Sequence, residues 1–237
     1  MPDDGSLQPP TGAALQRGQR ARVAAFAAAA LAIAALLFVG RDFFATLDRL
    51  DAVERERDSW QRPAEILRAL ALRDGDVVAD LGCGSGYFAL KLSPAVGPHG
   101  RVLAVDVRRL PLLFTRVRAW TRGMANVRIL HVTPDDPGLP AGGVDAVLVL
   151  NTLHELDDAP AVLAHVRAAL RPRGRLVVVD RGPRSSAAPS PGEHELTAAQ
   201  GEQRLRAAGF DVLERDGAFV DRPGDSDVWW MIAARRP

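Results

Sequence analysis

Val77-Val78-Ala79-Asp80-Leu81-Gly82-Cys83-Gly84-Ser85-Gly86-Tyr87, followed by Val102-Leu103-Ala104-Val105-Asp106, is the stretch that decides the fold. An apolar strand ends in an acid, and three glycines form a turn whose bare backbone can approach a ligand closely. A helix then begins. A second strand follows and ends in another carboxylate, about twenty residues after the turn, the spacing that lets an acid meet a ribose. The pattern reads as a cradle for a nucleoside cofactor.

The glycine spacing narrows the choice of nucleoside. A dinucleotide fold uses G-x-G-x-x-G, with a pyrophosphate over the helix N-terminus. Here the order is G-x-G-x-G, and Tyr87 stands where the third dinucleotide glycine would be. A tyrosine there would crowd a pyrophosphate. Asp80 adds negative charge at the turn, which suits an ammonium or a sulfonium better than a phosphate. Asp80-Leu81-Gly82-Cys83-Gly84-Ser85-Gly86 resembles the first motif of the class I S-adenosylmethionine-dependent methyltransferases.

The pattern along the chain supports an α/β fold. Strands are expected at 76–81, 101–106, 127–132, 144–150 and 175–180, each short, aliphatic and nearly free of polar residues, as parallel strands covered on both faces should be. Helices are expected at 63–72, 86–93, 109–120, 158–170 and 195–208. Two closing strands, about 210–220 and 227–235, have no helix between them and suit an antiparallel hairpin. The expectation is a doubly wound, seven-stranded, mostly parallel sheet with right-handed crossovers, preceded by an N-terminal apolar helix. The resemblance implies the Rossmann-like methyltransferase version of that sheet.

Before the sheet the chain divides by composition. Residues 1–22 read as a disordered start, 23–40 as a membrane span, 41–62 as a charged helical linker with a solvated face, and 63–237 as the α/β domain. The stretch Val23–Gly40 is uninterrupted and apolar, within the roughly 17–25 residues that cross a bilayer. Half of it is alanine, so its insertion energy is marginal. A signal peptide and a buried helix stand as alternatives. Arg17, Arg20 and Arg22 precede the span, while Arg41, Arg49, Arg55 and Arg57 follow it, so arginine counting leaves the topology open. Supply of the cofactor implied by the resemblance favours a single-pass anchor with the domain facing the cytoplasm. Gly182–Glu193 is rich in Pro and Ser and reads as a connection, with a lid over the acceptor site as the alternative.

At 237 residues and net charge +1, the chain has room for one full core but no basic field for nucleic acid. Cys83 is the single cysteine, so neither an internal disulfide nor a thiolate metal cluster can form, and no His/Asp/Glu group has ligand spacing.

The resemblance assigns roles to particular residues. Gly82, Gly84 and Gly86 let the backbone approach the cofactor, with the peptides near Cys83 facing its methionyl part and Asp80 near its amino-acid end. Asp106 meets the ribose, and Val107 meets the adenine. The acid that bonds the adenine amino group is Asp135 or Asp136, with Asp135 preferred; Pro134 replaces the small residue usual before it. Asn151 sits at the end of the fourth strand, close to the transferred methyl group. His154, whose ordinary pKa lies near working pH, is the candidate general base, although Leu153-His154-Glu155 also reads as the start of a helix. Trp60, Gln61 and Arg62 precede the first domain helix, where substrate is often covered. The implied function is methyl transfer from S-adenosylmethionine to a small-molecule acceptor, with a lipophilic one suggested by the apolar segment. A nicotinamide-dependent oxidoreductase and a non-catalytic, membrane-tethered scaffold are the competing readings.

Overall fold

A computed structural model describes residues 12–183, 196–222 and 227–237. The chain forms two units, which divide after Asp51.

In the first unit the described residues are all helical and belong to α1, Gly12–Trp60. Residues 12–22 are part of this helix, and residues 1–11 lie outside the described residues. Alanine and arginine are strong helix formers, and a helix already under way propagates through them at little cost. From Ala25 the helix is long and apolar enough to cross a membrane, with a mean hydropathy of 1.8 over its most apolar window.

The second unit, Ala52–Pro237, begins with the last turns of α1. Next come α2 (Pro63–Leu70), β1 (Val77–Leu81), α3 (Tyr87–Ala95), β2 (Arg101–Asp106), α4 (Arg109–Thr121), β3 (Val127–His131) and β4 (Val144–Leu150). A single 3₁₀ turn, Leu153–Glu155, leads to α5 (Ala159–Ala169), β5 (Leu170–Pro183), α6 (Ala198–Ala207), β6 (Asp211–Val220) and β7 (Asp227–Arg235). The seven strands form one sheet in the order β3-β2-β1-β4-β5-β7-β6. The first five are mutually parallel and β7 runs antiparallel to both its neighbours. The closing pair is thus a hairpin, but β7 inserts between β5 and β6, so Trp229 and Trp230 lie on an interior strand. Trp230 is buried and donates from its indole to Leu196 O at 2.6 Å.

Alternate residues of each strand feed two cores, one per face. Val78, Val102, Leu148 and Val177 pack with Ile66, Phe88 and Leu92, while Ala79, Leu103, Val147 and Val178 pack with Leu163, Val166 and Leu205. This is why the strands read as unbroken apolar runs. The expected connection Gly182–Glu193 lies, beyond Pro183, outside the described residues.

The end of α1 contacts the sheet unit. Glu54 makes an ion pair with the buried Arg118, Asp58 accepts from Tyr87 and Lys91 at 2.8 Å each, and Trp60 packs on Trp229 at 5.7 Å. These partners lie far along the chain, so residues 52–62 belong to the α/β unit, while Arg55, Glu56 and Asp58 stay exposed to solvent.

Candidate functional site

The glycine turn is locked in place from three sides. Gly82 N–H and Cys83 N–H both donate to Val105 O, at 2.9 and 3.0 Å, which ties the turn to β2. Gly82 has φ +75°, and a Cβ there would lie 2.2 Å from Thr152 Oγ1, just after β4. Gly86, at φ +92°, begins α3; a Cβ would lie 2.9 Å from Thr115 Cγ2 on α4. Both positions need glycine for conformation and for space. Thr115 Oγ1 closes the turn by donating to Gly84 O at 2.9 Å. Cys83 is buried in the turn, and desolvation, with the Asp80 and Asp106 carboxylates, pushes its thiol pKa up, away from the range of reactive thiolates.

Near their carboxyl ends, four of the five parallel strands deliver a carboxylate or carboxamide: Asp80, Asp106, Asn151 and Asp180. Asp80 is buried and its Oδ2 has no hydrogen-bond partner. Burial pushes its pKa up to about 7; an Ala89 backbone N–H opposes this, the Asp106 charge adds to it, and the Arg57 charge offsets part of it. Asp106, also buried, accepts from Gly84 N–H at 2.9 Å on one oxygen and from Arg108 N–H at 2.8 Å on the other. A carboxylate offers about four acceptor sites, so it has capacity for a further donor. Val107 follows and is largely exposed. In the loop after β3, Asp136 accepts from Gly138 N–H at 2.8 Å, whereas Asp135 is exposed and no such contact engages it among the described residues.

Gln61 is completely buried at the entrance to α2. Its Oε1 accepts from Arg57 Nε at 3.0 Å, which leaves the amide nitrogen as a donor without a partner. Arg57 lies over the Tyr87 ring at 4.1 Å and the Tyr87 hydroxyl donates to Asp58, so the tyrosine that replaces a dinucleotide glycine docks the end of α1. The sequence reading gave Gln61 only a covering role; its buried, half-satisfied amide has no sequence signature.

The β4 exit carries the second cluster. Asn151 adopts φ +53°, donates its N–H to Val179 O at 2.7 Å and keeps a buried Oδ1 with no partner. His154 sits on the 3₁₀ turn, so it starts no α-helix. Its Nδ1 lies 2.6 Å from Asp180 Oδ1, and its backbone N–H donates to Asp180 Oδ2 at 3.1 Å. Arg181 N–H adds a third bond to this fully buried carboxylate, at 2.8 Å. The Asp180 hydrogen bond raises the His154 pKa above the ordinary imidazole value, against desolvation. Nε2 is left facing Glu155 Oε1 at 3.8 Å. Thr152 joins this cluster to the glycine turn. Asp180 was missed in the sequence, although Leu176-Val177-Val178-Val179-Asp180 repeats the apolar-run-plus-acid signature of β1 and β2. The other described histidines are surface groups, with His99 near Asp74 at 3.3 Å and His165 near Asp136 at 3.9 Å; His194 lies outside the described residues.

Residues 79–176 match the family model described as a methyltransferase domain. The α/β unit is similar to the class I S-adenosylmethionine-dependent methyltransferases. It is 34% identical over 104 residues to the nocamycin O-methyltransferase of Saccharothrix syringae, covering 44% of this chain and 37% of that one. It is also 26% identical over 168 residues to a ubiquinone/menaquinone biosynthesis C-methyltransferase of Shewanella frigidimarina, covering 70% and 61%. The chain spans less than two thirds of the length of these relatives. A solved methyltransferase from Aquifex aeolicus superposes with a TM-score of 0.67 at 23% identity, over 81% of this chain and 98% of that one. The [4+2]-cyclase SpnF superposes with a TM-score of 0.66 at 18% identity, over 75% and 81%, so the fold alone does not fix the reaction.

The α/β unit fits S-adenosylmethionine by the orphaned groups it holds. S-adenosylmethionine carries an ammonium, a carboxylate and a ribose diol. The turn region offers it a partnerless buried carboxylate oxygen, a partnerless buried amide donor and a carboxylate with spare acceptor capacity.

Proposed function

We propose that this chain is a methyltransferase that moves a methyl group from S-adenosylmethionine to a small lipophilic acceptor carrying an acidic hydroxyl or an enolisable carbon, with His154 as the general base. The observation that carries this reading is the His154–Asp180 pair beside the glycine turn.

Bound S-adenosylmethionine would supply an electrophilic methyl carbon on a sulfonium. Asp80 would accept from its ammonium, Gln61 Nε2 would donate to its carboxylate, and Asp106 would accept from the ribose hydroxyls. Val107 would line the adenine and Asp135 would bond its amino group. Gly82, Cys83, Gly84 and Gly86 would provide the close backbone wall, and Asn151 would face the methyl end.

The rest of the mechanism concerns one proton. A phenol, quinol or enol attacks a methyl carbon far better once its proton is leaving. Asp180 accepts from Nδ1–H and so fixes the tautomer in which Nε2 has a lone pair. When Nε2 takes the proton, the imidazolium is balanced by a carboxylate held by two backbone donors. Glu155, exposed and 3.8 Å from Nε2, offers the proton a way to solvent. The relatives favour this acceptor class: one is named for O-methylation of nocamycin, another for C-methylation in quinone biosynthesis.

For location, we infer that residues 23–40 anchor the chain in a single pass with the domain facing the cytoplasm, where the cofactor is made. The length and hydropathy of α1 support a span.

The test is incubation of the full chain with methyl-labelled S-adenosylmethionine and a cell extract split into lipid and aqueous fractions. Label should enter the lipid fraction and be lost with His154→Ala while S-adenosylhomocysteine still binds. Label confined to the aqueous fraction would remove the lipophilic acceptor, and undiminished turnover by His154→Ala would remove the base.

A further inference from the structure

Helix α4 carries a face that the fold leaves uncovered. Its inner side is buried through Leu112, Thr115, Arg118 and Ala119. Its outer side presents Arg109, Leu113, Arg116 and Trp120 at i, i+4, i+7 and i+11, a single stripe at helical spacing, with Leu110 alongside. Leu110 is 62% exposed, Leu113 47% and Trp120 79%. An indole so exposed on a folded domain is a loss that a partner would recover.

The charges on this face are of one sign. Helix α4 contains no acidic residue. Among the described residues neither Arg109 nor Arg116 has an ion-pair or hydrogen-bond partner, whereas Arg62, Arg118, Arg171, Arg206 and Arg215 are each paired with an acid. Arg109 and Arg116 also line a cleft of about 300 Å³ between α4 and β3, together with Leu112, Leu113, Ile129 and His131. The cleft lining therefore combines two cationic side chains with three apolar ones.

We propose that this face and its cleft dock on the anionic phospholipid headgroups of a bilayer surface. Arginine binds phosphate through paired N–H donors. Trp and Leu on a helix with a basic polar side seat at the headgroup boundary, and anionic lipid adds attraction for each cation. A nucleic acid would use the arginines but leave Leu110, Leu113 and Trp120 in water. Charge complementarity and the exposed indole together select the lipid surface. The face begins three residues beyond Asp106, so docking would hold the carboxyl edge of the sheet near the membrane. The proposal does not depend on the acceptor or on His154.

The test uses the full chain in lipid nanodiscs of phosphatidylcholine alone or with added phosphatidylglycerol. The Trp120 signal is obtained as the fluorescence difference between the native chain and Trp120→Phe. That signal should shift to the blue and be quenched by brominated lipid in anionic discs but not in neutral ones. Arg109→Glu with Arg116→Glu should weaken the effect roughly tenfold or more, the loss of two charge contacts at a membrane surface. Unchanged S-adenosylhomocysteine binding would verify that this variant is folded. The same Trp120 signal in neutral and anionic discs would overturn the proposal. So would an equal shift with soluble glycerol phosphate, or a shift in detergent that grows with protein concentration, which would indicate a second copy of the chain.

Discussion

Replacing Asp106 by alanine removes two things that can be measured separately. The first is its contact with the cofactor ribose. Hydrogen bonds to a charged group contribute about 1.5–3 kcal/mol, which corresponds to a roughly 10- to 150-fold rise in Kd. The second is internal, because the same carboxylate accepts from Gly84 N–H at 2.9 Å and Arg108 N–H at 2.8 Å. Leaving those donors unpaired costs about 1–3 kcal/mol of stability. Asp106→Asn separates the two, since its carbonyl oxygen can keep one backbone donor while the charge is lost. The assay is calorimetric titration of the full chain with S-adenosylhomocysteine, paired with thermal melts. Alanine should weaken binding by the larger factor and lower the melting temperature, and asparagine should weaken binding with a smaller loss of stability. A destabilised alanine variant that binds within about threefold of the native chain, under 1 kcal/mol, would refute the ribose assignment.

Other perturbations probe the rest of the site. Because Asp180 raises the His154 pKa, the acid limb of kcat/KM should lie above the ordinary imidazole range near 6.5, and Asp180→Asn should move it to lower pH. That variant should also lose about 10- to 150-fold in rate, and a profile that does not move would show that the pair is not the titrating base. The bond contributes stability that is fully present below the unfolded pKa and is lost as pH rises through the raised folded value, so the variant's deficit in melting temperature should shrink at alkaline pH. Asp80, raised to about 7, must ionise to meet an ammonium, so affinity for S-adenosylhomocysteine should fall about tenfold per pH unit below 7 and Asp80→Asn should flatten that slope. The free protein should show the opposite trend, losing stability as pH rises from about 4 to 7, because the folded state holds that proton more tightly than the unfolded chain. Gly82→Ala places a Cβ 2.2 Å from Thr152 Oγ1 at φ +75°, and should cost about 2–4 kcal/mol, part of it restored by Thr152→Ala; strict additivity in denaturant melts would exclude that contact.

The strands were legible because parallel strands buried on both faces leave continuous apolar runs, and the turn was legible because Gly82 and Gly86 tolerate nothing larger. What the sequence hid depends on distant partners. Glu54 and Asp58 look like any charged helix face until Arg118 and Tyr87 arrive from 64 and 29 residues away. His154 was visible as a base candidate but its Asp180 partner was not, since the two meet only when β5 pairs with β4. The choice between Asp135 and Asp136 rested on the resemblance; the Gly138 contact that occupies Asp136 is a tertiary detail of a short loop.

The central claim is that the bend after β1 accepts an adenosyl sulfonium amino acid and no dinucleotide. Parallel calorimetric titrations of the full chain with S-adenosylhomocysteine and with NAD address it directly. Saturable one-to-one heat with the first and none with the second is the expected result. Saturable heat with NAD and none with S-adenosylhomocysteine would contradict it.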